Sequence, residues 1–327
     1  MDQVQCTNDE ATASKAHSIR RGYWVDPYMK YFCPIPSAAT PEISRGYFVR
    51  VQTFEAMTKR FIQDFNGECQ VVNLGAGSDT LFFRLKSVEI QPKVFVEIDL
   101  PGNVKKKIVT LRRCKQLWNE LFPDAPPQSS FAVATPESHR SLNAASYHLL
   151  SHDLRLPPAS LIEELCTSET GPKLSSELPT LFLAECVLVY IPTASSEALI
   201  KSLASHFTNA AFINYEQVNM NDKFGEIMIR SFRDRSCELP GLSACGSLND
   251  QKKRFLSAGW SEVHSWTINE IYNALPSETA ARIERLELLD DREITSQLFD
   301  HYCILLAINS TSVCCWNSLQ AALADVK

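Results

Sequence analysis

The hydrophobic positions of this chain follow two different periods. Across residues 42–65 apolar side chains recur every three or four positions, at Ile43, Tyr47, Val51, Phe54, Met57, Phe61, Ile62 and Phe65. That spacing predicts one face of a helix. A second helix is predicted over residues 14–32, and Pro34, Pro36 and Pro41 indicate a loop between the two. Residues 1–12 are polar and are predicted to be disordered.

From residue 70 onward the period changes to short, nearly continuous apolar runs. They lie at residues 70–74, 93–98, 147–150, 180–184 and 211–215, with two more at 261–268 and 302–308. Continuous apolar character is typical of strands that are buried on both faces. Helical patterns separate most of these runs, so the sequence predicts an α/β fold, with a mainly parallel sheet covered by helices on both sides.

The domain organisation follows from the same pattern. We predict one domain over residues 13–309, with a helical cap or lid at 13–68 and the sheet core at 69–309. Residues 114–146 are rich in proline, serine and alanine, which predicts a loop or insertion beside the sheet. No structure is predicted for the tail, residues 310–327.

Composition excludes several classes of protein. The 327 residues are 45% hydrophobic and 21% charged, with a net charge of -6, which argues against a disordered chain and against a strong general attraction to nucleic acid. The longest apolar run, residues 181–191, is too short for a membrane span and contains Glu185. The N-terminus lacks the apolar stretch of a secretory signal. The 11 cysteines form no C-x-x-C pair, so we expect reduced cytosolic thiols and no bound metal. The protein is also expected to be cytoplasmic and monomeric.

One glycine turn and three acidic residues carry the candidate chemistry. Gly75 and Gly77 follow the first strand and lead into a helix that Ser78 or Asp79 is predicted to cap. Asp99, Asp153 and Glu185 lie at the carboxyl ends of the next three strands, where open α/β sheets bind ligands. An acidic residue at the position of Asp99 would accept hydrogen bonds from the ribose hydroxyls of an adenosine cofactor.

The identity of that cofactor depends on charge. A dinucleotide fold commonly carries a third glycine where this chain has Thr80. S-adenosylmethionine has no phosphate and carries an ammonium and a sulfonium group. A carboxylate about 5 Å from such a cation contributes roughly 3 kcal/mol at an effective dielectric constant of about 20. Glu185 therefore favours S-adenosylmethionine over a pyrophosphate.

The sequence resembles the leucine carboxyl methyltransferase family over about residues 14–309. The matching segments are residues 22–28 (GYWVDPY), 41–50 (PEISRGYFVR), 72–77 (VNLGAG), 184–190 (AECVLVY), 213–219 (INYEQVN), 222–225 (DKFG), 286–290 (LELLD) and 301–303 (HYC). The resemblance implies a class I S-adenosylmethionine-dependent methyltransferase fold, a Rossmann-like sheet with an antiparallel final strand. It also implies methylation of the C-terminal leucine of type 2A protein phosphatase catalytic subunits, and a part in regulating phosphatase assembly.

The resemblance also implies a role for individual residues. Lys15 and Arg50 would hold the methionine carboxylate of the cofactor, and Gly75 would line its methionine part. Asp99 would bind the ribose and Glu185 the ammonium group. The adenine would contact Asp153 and Leu154. Without the resemblance, Lys15 and Arg50 would be interpreted as solvated surface charges.

The reaction needs no general base, because a C-terminal carboxylate is already ionised at neutral pH. We expect catalysis by positioning and desolvation, with no residue assigned as a catalytic acid or base. Tyr190 and Tyr215, just past two of the strands, are candidates for the substrate pocket or for aromatic packing beneath a loop. The helices at residues 23–28 and 42–50 are hypothesised to form a lid.

Three other functions stay open. A related enzyme methylates a hypermodified guanosine in transfer RNA, but it carries a long repeat region that these 327 residues lack. An NAD-dependent oxidoreductase is disfavoured by Thr80 and Glu185, and a catalytically silent binding module by retention of every implied position.

Other chemical candidates are given structural interpretations. The basic run at residues 105–107 is predicted to be a solvated helix face. His152 is predicted to be structural and Cys186 a packed thiol.

Overall fold

The computed structural model describes residues 3–123, 141–144 and 146–309. The strands are β1 (Gln70–Leu74), β2 (Val94–Asp99), β3 (Ser141–Ala144), β4 (Tyr147–Ser151), β5 (Thr180–Glu185), β6 (Ala210–Gln217), β7 (Glu262–Thr267) and β8 (Tyr302–Asn309). Every strand that the apolar runs predict is confirmed, with boundaries that differ by one or two residues.

These strands form one eight-stranded sheet in the order β3-β4-β2-β1-β5-β6-β8-β7. The strands β4, β2, β1, β5 and β6, which are neighbours in this order, run parallel. Strand β8 pairs antiparallel with both β6 and β7. Apart from the edge strand β3, this is the class I methyltransferase sheet with its antiparallel final strand. The predicted fold class is confirmed.

The α-helices are α1 (Gln3–Arg20), α2 (Pro41–Asp64), α3 (Leu81–Ser87), α4 (Pro101–Arg113), α5 (Lys115–Leu121), α6 (Pro158–Cys166), α7 (Thr193–His206), α8 (Lys223–Asp234), α9 (Leu248–Ser257), α10 (Ile268–Asn273), α11 (Ser277–Glu284) and α12 (Arg292–Asp300). None of the described helices is long and apolar enough to cross a membrane.

Helices cover the sheet on both faces, and successive strand residues enter different cores. Val71 of β1 packs in the core that includes side chains of α2, α3, α4 and α5, whereas Val72 packs in the core that includes side chains of α6, α7 and α9. This alternation explains the continuous apolar runs, because both faces of each central strand are buried. The helical cap predicted at residues 13–68 contains α2 and the C-terminal part of α1, and α2 is part of the first core.

The prediction of disorder over residues 1–12 is wrong from Gln3 onward, where α1 begins. The helix predicted at 14–32 ends at Arg20, and a short 3-10 turn at Met29–Tyr31 follows. Tertiary contacts hold the polar start of α1: Asn8 Oδ1 accepts from the Ser78 backbone N–H at 2.7 Å, and Lys106 pairs with Asp9 at 2.9 Å. Such contacts, which local propensity does not reveal, supply most helical stability in proteins.

The segment predicted as a loop or insertion at residues 114–146 is regular at both ends. Helix α5 buries Leu117, Trp118 and Leu121, and β3 pairs antiparallel with β4. The rest of this segment, together with the tail at 310–327, lies outside the described residues.

Candidate active site

The glycine turn after β1 is shaped by two positive backbone angles. Gly75 has φ +66° and Gly77 has φ +52°, in the left-handed region that disfavours other residues. A Cβ on Gly75 would lie 2.6 Å from Val187 Cγ2, and one on Gly77 would collide with Asn8 Oδ1. The turn therefore fits only glycine at both positions.

Asp79 closes this turn, two residues before α3 begins at Leu81. Its Oδ1 accepts from the backbone N–H groups of Thr80 at 2.7 Å and Leu81 at 3.2 Å, and its Oδ2 accepts from Asn73 Nδ2 at 2.9 Å. The prediction that Ser78 or Asp79 caps this helix is wrong, because the N-cap of α3 is Thr80, whose side chain makes no capping hydrogen bond. Asp79, which precedes the cap, still satisfies the Leu81 N–H.

Asp99 connects the end of β2 to the glycine turn. Its Oδ2 accepts from the Gly77 N–H at 2.6 Å, and its Oδ1 accepts from the Leu100 N–H at 2.6 Å and from Asn103 Nδ2 at 2.9 Å. Burial raises the pKa of Asp99 above its usual value, while these hydrogen bonds oppose the rise. A carboxylate has about four lone-pair positions and three are occupied here, so capacity for one further hydroxyl donor remains.

Glu185 collects two cations from distant parts of the chain. Lys15 Nζ of α1 lies 2.8 Å from Glu185 Oε1, and Arg50 Nε of α2 donates to the same oxygen. Arg50 Nη2 also donates to the Glu185 backbone carbonyl at 3.1 Å. The Arg50 guanidinium lies 4.5 Å above the Tyr215 ring, an arrangement that favours a cation. All three charged side chains are at most 11% exposed, so water screens their interactions only weakly.

Asp153 and Leu154 follow β4 on the other side of the turn. Asp153 forms an ion pair with Arg155 at 2.7 Å, and the hydrogen bond from Arg155 lowers the pKa of the Asp153 carboxyl. Leu154 is buried among the core side chains on one face of the sheet.

One cavity of about 370 Å³ brings all the sequence-predicted site residues together. It is lined by Lys15, Arg50, Gly75, Asp99, Asp153, Leu154, Glu185, Tyr190 and Tyr215. The structure shows that these residues line one cavity, and the role of each residue stays a prediction. Among the described residues, no group of His, Cys, Asp and Glu side chains is arranged to hold a metal ion.

One end of the cavity is aromatic, and the sequence predicted only some of its residues. Tyr215 stacks on Tyr302 with ring centres 5.3 Å apart, and Tyr302, Tyr47 and Gln217 also line the cavity. Burial raises the pKa of the Tyr215 hydroxyl, so it stays protonated at neutral pH and can donate a hydrogen bond. Tyr302 lies in the family-like segment 301–303, which was the available signal for it.

His152 and Cys186, which the sequence predicted to have structural rather than chemical roles, also line this cavity. His152 bonds Glu164 through Nδ1 at 2.7 Å. Cys186 has φ +60°, and burial raises the pKa of its thiol, which does not favour a thiolate nucleophile.

The basic run was interpreted wrongly at one position. Lys105 and Lys106 are exposed as predicted, but Lys107 is 1% exposed and forms an ion pair with Glu97.

The side chains fit S-adenosylmethionine by their chemistry. The cavity offers carboxylates at Asp99 and Glu185, two cations at Lys15 and Arg50, and an aromatic wall. A ligand that carries an ammonium, a carboxylate and a ribose diol matches that set of charges and acceptors.

The sheet and its site define a methyltransferase of the S-adenosylmethionine-dependent type. Residues 3–204 match the model of the family described as leucine carboxyl methyltransferase, and the chain belongs to that family. It catalyses methylation of a carboxyl group.

Individual relatives agree with this assignment. Leucine carboxyl methyltransferase 1 of Bos taurus is 39% identical over 310 residues, covering 94% of this chain and 90% of the relative. The Caenorhabditis elegans protein of the same name is 38% identical over 312 residues, covering 93% and 90%. Human tRNA wybutosine-synthesizing protein 4 is 34% identical over 311 residues, which cover 93% of this chain but 44% of that protein.

Proposed function

We propose that this protein transfers a methyl group from S-adenosylmethionine to the α-carboxylate of the C-terminal leucine of type 2A protein phosphatase catalytic subunits. In the cytoplasm, this modification would regulate phosphatase assembly. One observation supports the proposal above others: Lys15, Arg50 and Glu185 converge beside the glycine turn in a chain of the leucine carboxyl methyltransferase family.

The charge cluster supports a specific division of roles. Lys15 and Arg50 bind the cofactor's methionine carboxylate, and Glu185 binds its ammonium while keeping both cations in place. Gly75 gives the methionine part close access to the backbone, because a side chain there would meet Val187. Asp99 accepts from the ribose hydroxyls, and Asp153 and Leu154 contact the adenine.

The residues near the aromatic end serve the acceptor. When bound, S-adenosylmethionine would supply an electrophilic methyl group to the carboxylate oxygen of the acceptor, and the electron pair of the broken carbon–sulfur bond would stay on sulfur. Tyr190 and Tyr215 contact the acceptor and exclude water from its carboxylate. Orienting the two reactants is the main contribution of the protein, because the acceptor carboxylate is ionised without a general base.

A labelled-methyl assay tests the acceptor. Phosphatase catalytic subunit is offered either intact or without its last residue. We expect label in the intact subunit alone, and equal labelling of both forms would overturn the proposed acceptor. Glu185→Gln should lose most of the activity, whereas Glu163→Gln, an exposed carboxylate of α6, serves as the matched control.

A second function has one specific observation in its favour, the 34% identity to human tRNA wybutosine-synthesizing protein 4. The same assay therefore includes transfer RNA that carries the hypermodified guanosine in its carboxyl form. Label in the RNA and not in the phosphatase would favour this alternative.

A further inference from the structure

Helix α4 directs a buried lysine toward the back of the glycine turn. Lys107 is 1% exposed; its Nζ lies 2.5 Å from Glu97 Oε2 and donates to the Asp79 backbone carbonyl at 2.6 Å. Tyr147 donates to the same Glu97 oxygen at 2.7 Å. Two aromatic rings also face the ammonium, with the ring centres of Phe83 at 5.4 Å and Phe32 at 5.9 Å from Nζ. Lys107 is therefore a fully desolvated charge whose polar contacts are one carboxylate and one carbonyl.

The carbonyl that Lys107 binds belongs to a residue of the cavity wall. Asp79 lines the cavity, and its carboxylate lies 4.0 Å from Lys15 Nζ. Its side chain is held by Asn73 and the start of α3, while its backbone is held by Lys107. Asp79 is thus fixed from both sides of the wall.

Glu97 connects the same lysine to the strand that carries the ribose-binding candidate. Glu97 and Asp99 both belong to β2, and Asp99 in turn accepts from the Gly77 N–H in the turn. The positive charge of Lys107 also lowers the pKa of Asp99, against the effect of burial. Lys107 therefore influences the cavity both through the Asp79 backbone and through its field at Asp99.

Stability alone does not account for this arrangement. Replacing a buried ion pair by apolar residues of similar size is often neutral or stabilising. An apolar side chain, however, could not donate to the Asp79 carbonyl. The feature that only Lys107 supplies is the charge-assisted hydrogen bond to the turn.

We propose that Lys107 is a positioning residue of the cofactor site: it holds the turn at residues 75–79 in its binding geometry through the Asp79 carbonyl, with Glu97 as its counter-ion. The proposal rests on the proposed function above, since it assigns Lys107 to the S-adenosylmethionine half of that site. Lys107 itself stays behind the wall and does not touch the cofactor.

The decisive variant removes both charges together. Lys107→Met alone would leave Glu97 buried without its partner, and could fail to fold for that reason. Glu97→Gln/Lys107→Met avoids the unpaired charge but still loses the donor to Asp79. We expect its thermal midpoint to stay close to that of the wild-type protein, while its dissociation constant for S-adenosylmethionine, measured by calorimetry, rises at least about tenfold.

Two further variants separate positioning from packing. Glu97→Gln/Lys107→Gln retains a neutral donor and leaves no unpaired charge, so its affinity should lie between those of the wild-type protein and Glu97→Gln/Lys107→Met. Lys105→Met, an exposed neighbour on α4, is the matched control and should bind as the wild-type protein does.

The outcomes are distinguishable. Unchanged affinity in folded Glu97→Gln/Lys107→Met would overturn the role of Lys107 and leave the proposed function intact. If that variant does not fold, equal binding by folded Glu97→Gln/Lys107→Gln and wild-type protein would overturn it. Absence of S-adenosylmethionine binding by the wild-type protein would overturn both proposals.

Discussion

Lys15 Nζ of the first helix lies 2.8 Å from Glu185 Oε1 at the end of β5. This pair joins the N-terminal helix to the middle of the sheet. Since α1 is polar along most of its length, its position depends on contacts of this kind rather than on a large apolar face.

Lys15→Met should weaken cofactor binding more than it weakens the fold. Loss of a buried charge-assisted contact to the cofactor carboxylate should raise the dissociation constant about tenfold or more. Calorimetry with S-adenosylmethionine measures the change, and Arg20→Met, at an exposed position of the same helix, is the control. Equal affinity of both variants would remove Lys15 from the site.

Gly75→Ala should be far more harmful than Gly259→Ala. Both glycines have positive φ, so each substitution should cost about 1–3 kcal/mol of stability from backbone strain. Only at Gly75 would the new Cβ also meet Val187, whereas at Gly259 nothing lies within 4 Å. Urea unfolding and cofactor titration should show binding lost for the first variant and retained for the second. Similar binding by both would contradict a close approach of ligand to the turn.

Acid should loosen the start of α8 through Asp222. Its Oδ1 accepts from the Gly225 N–H at 2.8 Å and lies 2.9 Å from His301 Nε2. Burial opposes ionisation, but these partners outweigh it and lower the pKa of Asp222. A lowered carboxyl pKa adds stability above its ordinary titration range, and that stability is lost as the pH falls through the lowered value.

Asp222→Asn keeps a helix cap but removes the charge, so it should flatten the acid limb of the stability curve. Asp222→Ala should cost about 1 kcal/mol more, because the cap is lost as well. Equilibrium unfolding between neutral and acidic pH measures both effects. The electrostatic part is small, since the Asp222 side chain is 57% exposed and water screens it. An unaltered acid limb in Asp222→Asn would refute the assignment.

Arg45→Met should destabilise the fold by about 1–3 kcal/mol, because it leaves partners of the buried guanidinium without their hydrogen bonds. The Arg45 side chain is 0% exposed and donates to Tyr272, to Glu284 and to the Glu287 backbone carbonyl, all C-terminal to β7. Arg292 also pairs with Glu284, but at 3.6 Å and with its side chain 81% exposed. Arg292→Met is therefore the control, with an expected change below about 0.5 kcal/mol. A similar free energy of unfolding for both variants would show that burial of Arg45 contributes little.

Cofactor should protect α1 from proteolysis. A ligand bound by Lys15 adds a contact to α1, which without cofactor is held in place by a few polar contacts. Cleavage within residues 3–20 should slow when S-adenosylmethionine is added, while cleavage elsewhere serves as the internal control. Equal cutting with and without the cofactor would argue against a lid formed by the N-terminal part of the chain.

The sequence predicted the sheet better than the charges around it. Apolar runs predicted β1, β2 and β4–β8, and strand ends predicted Asp99 and Glu185. Lys15 and Arg50 came only from the resemblance, because a charge becomes buried through partners that are distant along the chain. Lys107 shows the same limit, since in the run at residues 105–107 nothing local distinguishes the lysine that faces Glu97 from its exposed neighbours.

The placement of β8 has a consequence for biosynthesis. This strand is inserted between β6 and β7, although it is the last of the described strands to leave the ribosome. Until it arrives, β6 and β7 have no common neighbour, and Tyr302 is missing from the cavity. A nascent chain that ends before β8 therefore has β7 detached from the rest of the sheet and lacks part of the cavity wall. Translation must therefore pass β8 before the sheet and the cavity wall are complete, and we expect products that end before this strand to be inactive.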